Sequence, residues 1–120
     1  MKELILIFAG GGLGSVCRFL LGKWSLAFFP NHLPVGTLVA NILSCLVLGI
    51  TVAYLAKAGS LSVGYAFIVV GFCGGFSTFS TFSYETLLLM QDGKWAWALG
   101  NICVSVIACI VLLYLLSKHL

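Results

Sequence analysis

The chain has 120 residues, 62% of them hydrophobic and 8% charged, and carries a net charge of +3. Soluble domains are about 45–50% apolar and about 25% charged, and short chains bury the smallest share of their surface. That balance excludes a water-soluble fold, and so small and scattered a positive charge leaves no footprint for nucleic acid.

Lipid is the solvent that remains. Inside it every backbone polar group needs an internal partner, which leaves helices or closed barrels. The apolar runs are continuous rather than alternating, so an all-α integral membrane protein is expected. A bilayer core about 30 Å thick takes about 20 helical residues. On that measure one four-helix transmembrane domain fills residues 1–120, with spans at about 4–28, 35–56, 61–90 and 95–116.

The first span opens with Lys2 and runs through Gly10-Gly11-Gly12-Leu13-Gly14 past Arg18. It has no small-residue cleavage pattern, so it reads as a mature span rather than a signal peptide. Arg18 is its one strong charge at depth. Ionisable residues there are costly and usually functional. Arg18 either faces an aqueous vestibule, where it attracts anions, or snorkels to an interface.

Phe29-Pro30-Asn31-His32-Leu33-Pro34 reads as a turn, because two prolines interrupt helix. The second span is uncharged and holds Asn41 near its middle. A buried amide must find a partner, so Asn41 either orients a pore or bridges helices. Lys57-Ala58-Gly59-Ser60 is the next expected loop.

The third apolar segment is too long for one straight span, at about 1.5 Å per residue. In its middle stands Gly71-Phe72-Cys73-Gly74-Gly75-Phe76-Ser77-Thr78-Phe79-Ser80-Thr81-Phe82-Ser83-Tyr84-Glu85. Adjacent glycines weaken helix by about 1 kcal/mol each relative to alanine. Ser and Thr then offer the backbone competing hydrogen bonds. A helix broken near the bilayer midplane is expected. Carbonyls freed there are ligands for a hard cation, as in discontinuous transporter helices.

Phe79 and Phe82 are three apart and share a helical face. Aromatic rings are positive at their edges, so edge-on phenylalanines contact a small anion without a full charge that traps it. Ser80, Thr81 and Ser83 add hydroxyl donors beside them. Glu85, the one acidic residue inside a span, pairs with a cation or caps the interrupted segment.

Gln91-Asp92-Gly93-Lys94 reads as a turn, and the fourth span follows to Ser117-Lys118. Trp24, Trp95 and Trp97 sit near expected interfaces, as an aromatic belt places them. Cys17, Cys45, Cys73, Cys103 and Cys109 all fall in apolar runs without a C-x-x-C pair, and read as packing residues. His32 and His119 are expected to face solvent. No embedded histidine, paired carboxylate or activated nucleophile suggests an enzyme.

Orientation follows Lys/Arg asymmetry. Lys2, Lys57 and Lys118 share one side; Lys23 and Lys94 share the other, joined by Arg18 if it lies nearer that face. The bias is almost nil, so both orientations are expected to insert, and two opposed copies to meet as an antiparallel dimer. Gly10/Gly14 and Gly71/Gly75 supply G-x-x-x-G spacings for close helix approach. They serve either packing within the chain or contact between copies.

Four stretches together resemble the CrcB/Fluc family of fluoride channels. They are Gly11 to Arg18 (G-G-L-G-S-V-C-R), Pro34 to Asn41 (P-V-G-T-L-V-A-N), Gly49, and Gly71 to Glu85. The resemblance covers the whole chain. It implies fluoride-selective channels that export fluoride passively from the cytoplasm. These are multi-pass proteins of the bacterial inner membrane, built as antiparallel dual-topology homodimers with two pores. It also implies a central, non-transported structural sodium ion, held by the backbone carbonyls of Gly74 and Ser77. By motif position Phe79 and Phe82 match the pore phenylalanines and Asn41 the pore asparagine. Ser80 and Thr81 fall in the hydroxyl-rich break, and Arg18 matches the vestibule arginine. In the fourth span Ser105 and Cys109 take pore-track positions, although Cys109 stands where the family has Ser and Leu113 where Thr is common.

The rival reading is a small four-span, dual-topology, proton-coupled drug exporter. Such proteins use an acidic residue within span one, where this chain carries Arg18 instead and has Glu3 only at the very start.

Overall fold

The computed structural model describes residues 1–29, 33–58 and 63–119. His32, half of the expected turn around it and part of the loop after Lys57 lie outside the described residues. In chain order the elements are α1 (Lys2–Phe28), α2 (Val35–Ala58), a π-helix (Tyr65–Cys73), α3 (Gly74–Phe76), α4 (Phe79–Gln91) and α5 (Trp95–His119). With Tyr65–Gln91 taken as one segment, four helices are long and apolar enough to cross a membrane.

Local chemistry sets the helix ends. Pro34 stands just before α2, where a missing N–H costs nothing. Thr78 caps α4, its Oγ1 accepting from the Thr81 N–H at 3.2 Å. Past the other end of α4, the Lys94 N–H reaches back to the Leu89 carbonyl at 2.8 Å. That closure needs a left-handed residue, and Gly93 supplies it with φ of +75°.

The π-helix packs along α1, and α3 continues that seam; α2 lies against α5, and α4 also meets α5. The seam is built of glycine. A Cβ at Gly10 would strike the Phe67 carbonyl oxygen, one at Gly14 the Phe72 carbonyl oxygen, and one at Gly75 the Gly11 carbonyl oxygen. Both G-x-x-x-G pairs are therefore spent on bringing α1 against the π-helix and α3 within one chain. The wide turns of the π-helix were not visible in the sequence; such turns often mark functional segments.

The interior is small and mixes polar groups with apolar ones such as Ala40, Phe76, Phe82 and Leu89, and the exterior is large and apolar. Ser25, Thr37, Ser44, Thr86, Asn101 and Ser105 are buried, while Phe8, Phe19, Ile107 and Tyr114 are exposed. In water this arrangement is costly. In lipid it follows directly, because polar groups need protein partners and apolar side chains do not.

Candidate functional site

Ser77 and Thr78 leave the helical region, with φ/ψ of −83°/154° and −152°/126°. The hydrogen bonds around them are rerouted through side chains. The Thr78 N–H, which in a continuous helix would donate to Gly74, donates to Asn41 Oδ1 at 3.0 Å. The Thr81 N–H, the helical partner of the Ser77 carbonyl, is taken by Thr78 Oγ1. The carbonyls of Gly74 and Ser77 thus lose their usual donors. Their neighbours are accounted for. The Cys73 carbonyl accepts from the Ser77 N–H at 2.9 Å, from Ser77 Oγ at 2.7 Å and from Ser44 Oγ at 3.2 Å. The Gly75 carbonyl accepts from Arg18 Nε at 3.1 Å. Two released carbonyl oxygens are a donor set that suits a hard, oxygen-seeking cation.

A cavity of about 450 Å³ opens beside this interruption, lined by Asn41, Gly74, Ser77, Phe79, Phe82 and Ser105 among others. Cys45, Cys73 and Cys109 complete much of its wall. The Phe79 and Phe82 centroids stand 5.9 Å apart with ring planes inclined at 38°. Phe82 is 9% exposed and Phe79 is 80% exposed, so one ring is held by packing and the other projects outward.

From the Phe82 carbonyl a polar chain runs into α5. Thr86 Oγ1 donates to that carbonyl at 2.8 Å. Asn101 Nδ2 donates to Thr86 Oγ1 at 2.9 Å. Ser105 Oγ donates to Asn101 Oδ1 at 3.3 Å. The chain fixes the cavity wall, because each member leaves its neighbour an unpaired buried group if removed.

A second cavity, of about 290 Å³, is lined by Arg18, Lys23, Thr37, Thr81 and Glu85 among others. Thr37 Oγ1 donates to Glu85 Oε1 at 2.8 Å. Among the described residues Glu85 Oε2 has no hydrogen-bond partner. Arg18 is half-buried; its Nε is committed to Gly75, and its guanidinium reaches the same cavity as Glu85.

All the expected site residues but Ser80 thus fall into two groups. Asn41, Phe79, Phe82, Ser105, Cys109, Gly74 and Ser77 border the first cavity, while Arg18 and Thr81 border the second. Ser80 is exposed outside both linings and shares a 3.2 Å hydroxyl contact with Thr78. Sequence reasoning left out Thr37, Ser44, Thr78 and Thr86. Thr37 lay in the stretch Gly36-Thr37 before Asn41, but nothing in the sequence tied it to Glu85 across 48 positions.

Residues 5–116 match the family described as CrcB-like protein, Camphor Resistance (CrcB). A "Fluoride-specific ion channel FluC" of Pseudomonas syringae pv. maculicola is 44% identical over 108 residues, covering 89% of this chain and 84% of the relative. "Fluoride-specific ion channel FluC 1" of Yersinia pestis is 42% identical over 106 residues, covering 88% of this chain and 83% of the relative. The protein of that name in Escherichia coli (strain K12) is 42% identical over 110 residues, covering 89% and 84%. With its four membrane-crossing helices and a match over nearly its whole length, the chain belongs to the CrcB family and is a multi-pass membrane protein.

Proposed function

We propose that the chain is a fluoride-selective channel through which fluoride leaves the cytoplasm passively. In this reading it works as an antiparallel, dual-topology homodimer in the bacterial inner membrane, with two pores per dimer. The observation that carries the reading is the convergence on one cavity of Phe79, Phe82, Asn41 and Ser105 beside the extended pair Ser77–Thr78. The names of the relatives, fluoride-specific ion channels, support it.

The chemistry is that of a weak, replaceable anion path. Fluoride is small and holds its hydration strongly, so the wall must return hydrogen bonds as water is lost. The Thr81 hydroxyl, which accepts from Thr78, keeps its own hydrogen to donate, the Thr37 and Ser105 hydroxyls can serve an anion by exchanging their bonds to Glu85 and Asn101, and the rings of Phe79 and Phe82 offer positive edges. Among the described residues no Lys or Arg side chain lines the first cavity, so an anion is not trapped by a cationic side chain. Conduction needs binding strong enough to enter and weak enough to leave. Arg18 and Lys23 at the second cavity raise the local anion concentration.

Ser77 and Thr78 lie halfway along Tyr65–Gln91, which supports a helix interrupted at the bilayer midplane. The Gly74 and Ser77 carbonyls would hold the structural sodium, and Gly74 is open: a Cβ there meets nothing within 4 Å. That openness suits a cation shared with a second copy. A bound sodium ion would supply positive charge that offsets the two carbonyl dipoles released at Gly74 and Ser77, and it would not itself be carried. The drug-exporter reading is not favoured, because Glu3 sits in the first turn of α1 and not in mid-span.

Purified protein in liposomes tests the proposal. Fluoride-loaded vesicles are expected to lose fluoride within seconds of opening an electrical shunt, while chloride is retained. Fluoride release no faster than from protein-free vesicles overturns it. Reporters fused to the C-terminus are expected to be active on both sides of the membrane; a single fixed orientation removes the antiparallel dimer.

A further inference from the structure

Three of the five cysteines, Cys45, Cys73 and Cys109, border the cavity beside Phe79 and Phe82. They come from three different elements: α2, the π-helix and α5. Their states differ. The Cys73 thiol donates to the Ser44 carbonyl at 3.6 Å, while the Ser44 hydroxyl donates back to the Cys73 carbonyl. Cys73 is therefore buried and engaged in tying the π-helix to α2. Cys45 and Cys109 are half-buried and line the same cavity, and the packing of α2 on α5, with Gly49 against Leu113 and Leu116 one turn further along, sets them at the same level. Among the described residues no group of three or more His, Cys, Asp or Glu side chains is placed around one point. The pair is thus a two-thiol arrangement on a mostly apolar wall that also carries Asn41, Ser77 and Ser105, with the Cys73 thiol engaged by the Ser44 carbonyl.

From this pair we propose a binding site for a soft, two-coordinate metal ion, mercury(II) above all, bridging Cys45 on α2 and Cys109 on α5. Ligand type and ligand count both select the metal. Thiolates favour soft cations, and zinc is bound almost always by four ligands. Two sulfur ligands satisfy mercury(II) in a linear bridge. Charge makes the same selection. Binding exchanges two S–H protons for one divalent ion, so the bridged product is neutral: two thiols plus Hg²⁺ give S–Hg–S and two released protons. A neutral product suits a wall built from Leu48, Val69, Phe79, Phe82 and Val106, where an uncompensated charge is strongly disfavoured. A monovalent soft ion on two thiolates leaves a net negative charge and binds less tightly for that reason.

The position of the bridge gives it a consequence. It crosses the same cavity that Phe79, Phe82 and Ser105 line, and it fixes α2 to α5. Resting on the reading of that cavity as the fluoride path, bound mercury blocks fluoride flux. The site itself does not depend on that reading, because metal retention is measured separately.

The experiment uses the full chain carrying Cys17→Ser and Cys103→Ser, which removes the thiols outside this cavity. Mercury(II) chloride is added, excess is competed away with a monothiol, and retained metal is counted by native mass spectrometry. One mercury per chain is expected, with the sulfur-to-mercury absorption in the ultraviolet. Zinc chloride under the same treatment leaves no metal bound. Adding Cys45→Ser or Cys109→Ser should lower retention at least a hundredfold, whereas adding Cys73→Ala should leave it unchanged. Equal retention after Cys45→Ser, or loss only after Cys73→Ala, overturns the site. Far-ultraviolet circular dichroism of each variant confirms the helical fold, so that a misfolded variant is not scored as loss. In liposomes the metal should stop fluoride release, and a dithiol chelator should restore it. Retained mercury with undiminished fluoride release upholds the metal site and removes this cavity from the fluoride path.

Discussion

The Thr78 N–H donates to the side chain of Asn41 at 3.0 Å instead of to the carbonyl of Gly74. One amide on α2 thus replaces a rung of the third segment's hydrogen-bond ladder, and the Gly74 carbonyl is left without its helical donor. Asn41 is a backbone surrogate in this arrangement as well as a cavity-lining group. Replacing Asn41 with Leu keeps the volume and strands the Thr78 N–H. A buried donor left unpaired costs about 1–3 kcal/mol. Thermal unfolding of Asn41→Leu should show that loss, with fluoride flux reduced at least tenfold. An unchanged Tm together with normal flux would sink this assignment.

Gly74 and Gly75 are adjacent yet should respond in opposite ways. Gly75→Ala drives a methyl into the Gly11 carbonyl, and overpacking costs about 1–3 kcal/mol. Its folded yield in detergent should fall. Gly74→Ala meets nothing within 4 Å in the single chain, so the helices should form normally. Its defect should appear in the self-association of the chain and in fluoride flux. Size-exclusion chromatography with light scattering separates the two outcomes; a Gly74→Ala chain that assembles and conducts like wild type refutes the shared-cation reading.

Phe79→Ile and Phe82→Ile should both slow fluoride flux by two orders of magnitude or more. Their stabilities should differ. Phe82 is buried and Phe79 exposed, and shape changes in a packed site typically cost about 1–3 kcal/mol. Phe82→Ile should therefore lower Tm, and Phe79→Ile should not. Full-rate flux in either variant removes that ring from the path.

Arg18→Lys keeps the charge but loses the Nε donor that meets the Gly75 carbonyl at 3.1 Å. Hydrogen bonds to charged groups contribute about 1.5–3 kcal/mol, so a loss of at least tenfold in flux is expected. Attraction of anions by charge alone predicts full flux in Arg18→Lys. Stopped-flow fluoride release at low and high ionic strength distinguishes these, because only the charge effect is screened by salt.

Sodium withdrawal gives a further check. Exhaustive replacement of Na⁺ by a large organic cation should abolish flux, and re-addition should restore it. Flux that persists without sodium argues against a cation on the Gly74 and Ser77 carbonyls.

Much of this arrangement was written in local patterns. Continuous apolar runs between Pro- and Gly-marked turns led to four helices, because lipid enforces a simple length rule. The Gly-Gly pair and the hydroxyl run around Ser77 drew notice because they weaken a helix whatever surrounds it. What the sequence withheld depends on contacts between distant positions. Arg18 and Gly75 are 57 positions apart, and Thr37 and Glu85 are 48. Arg18 read as a vestibule charge or a snorkelling group; its anchoring bond to a carbonyl has no local signature. The π-helix was invisible for the same reason, since its wide turns form where the glycine seam sets the spacing of two backbones. The G-x-x-x-G pairs left two uses open, and only the positions of Phe67, Phe72 and Gly11 show that one chain consumes them.

That glycine seam has a mechanical meaning. Where main chain rests on main chain, there are no rotamers to exchange and little room to slide. α1, the π-helix and α3 form one stiff unit, and the only extended residues joining it to α4 are Ser77 and Thr78. Bending of α4 against that unit is therefore concentrated at this two-residue joint.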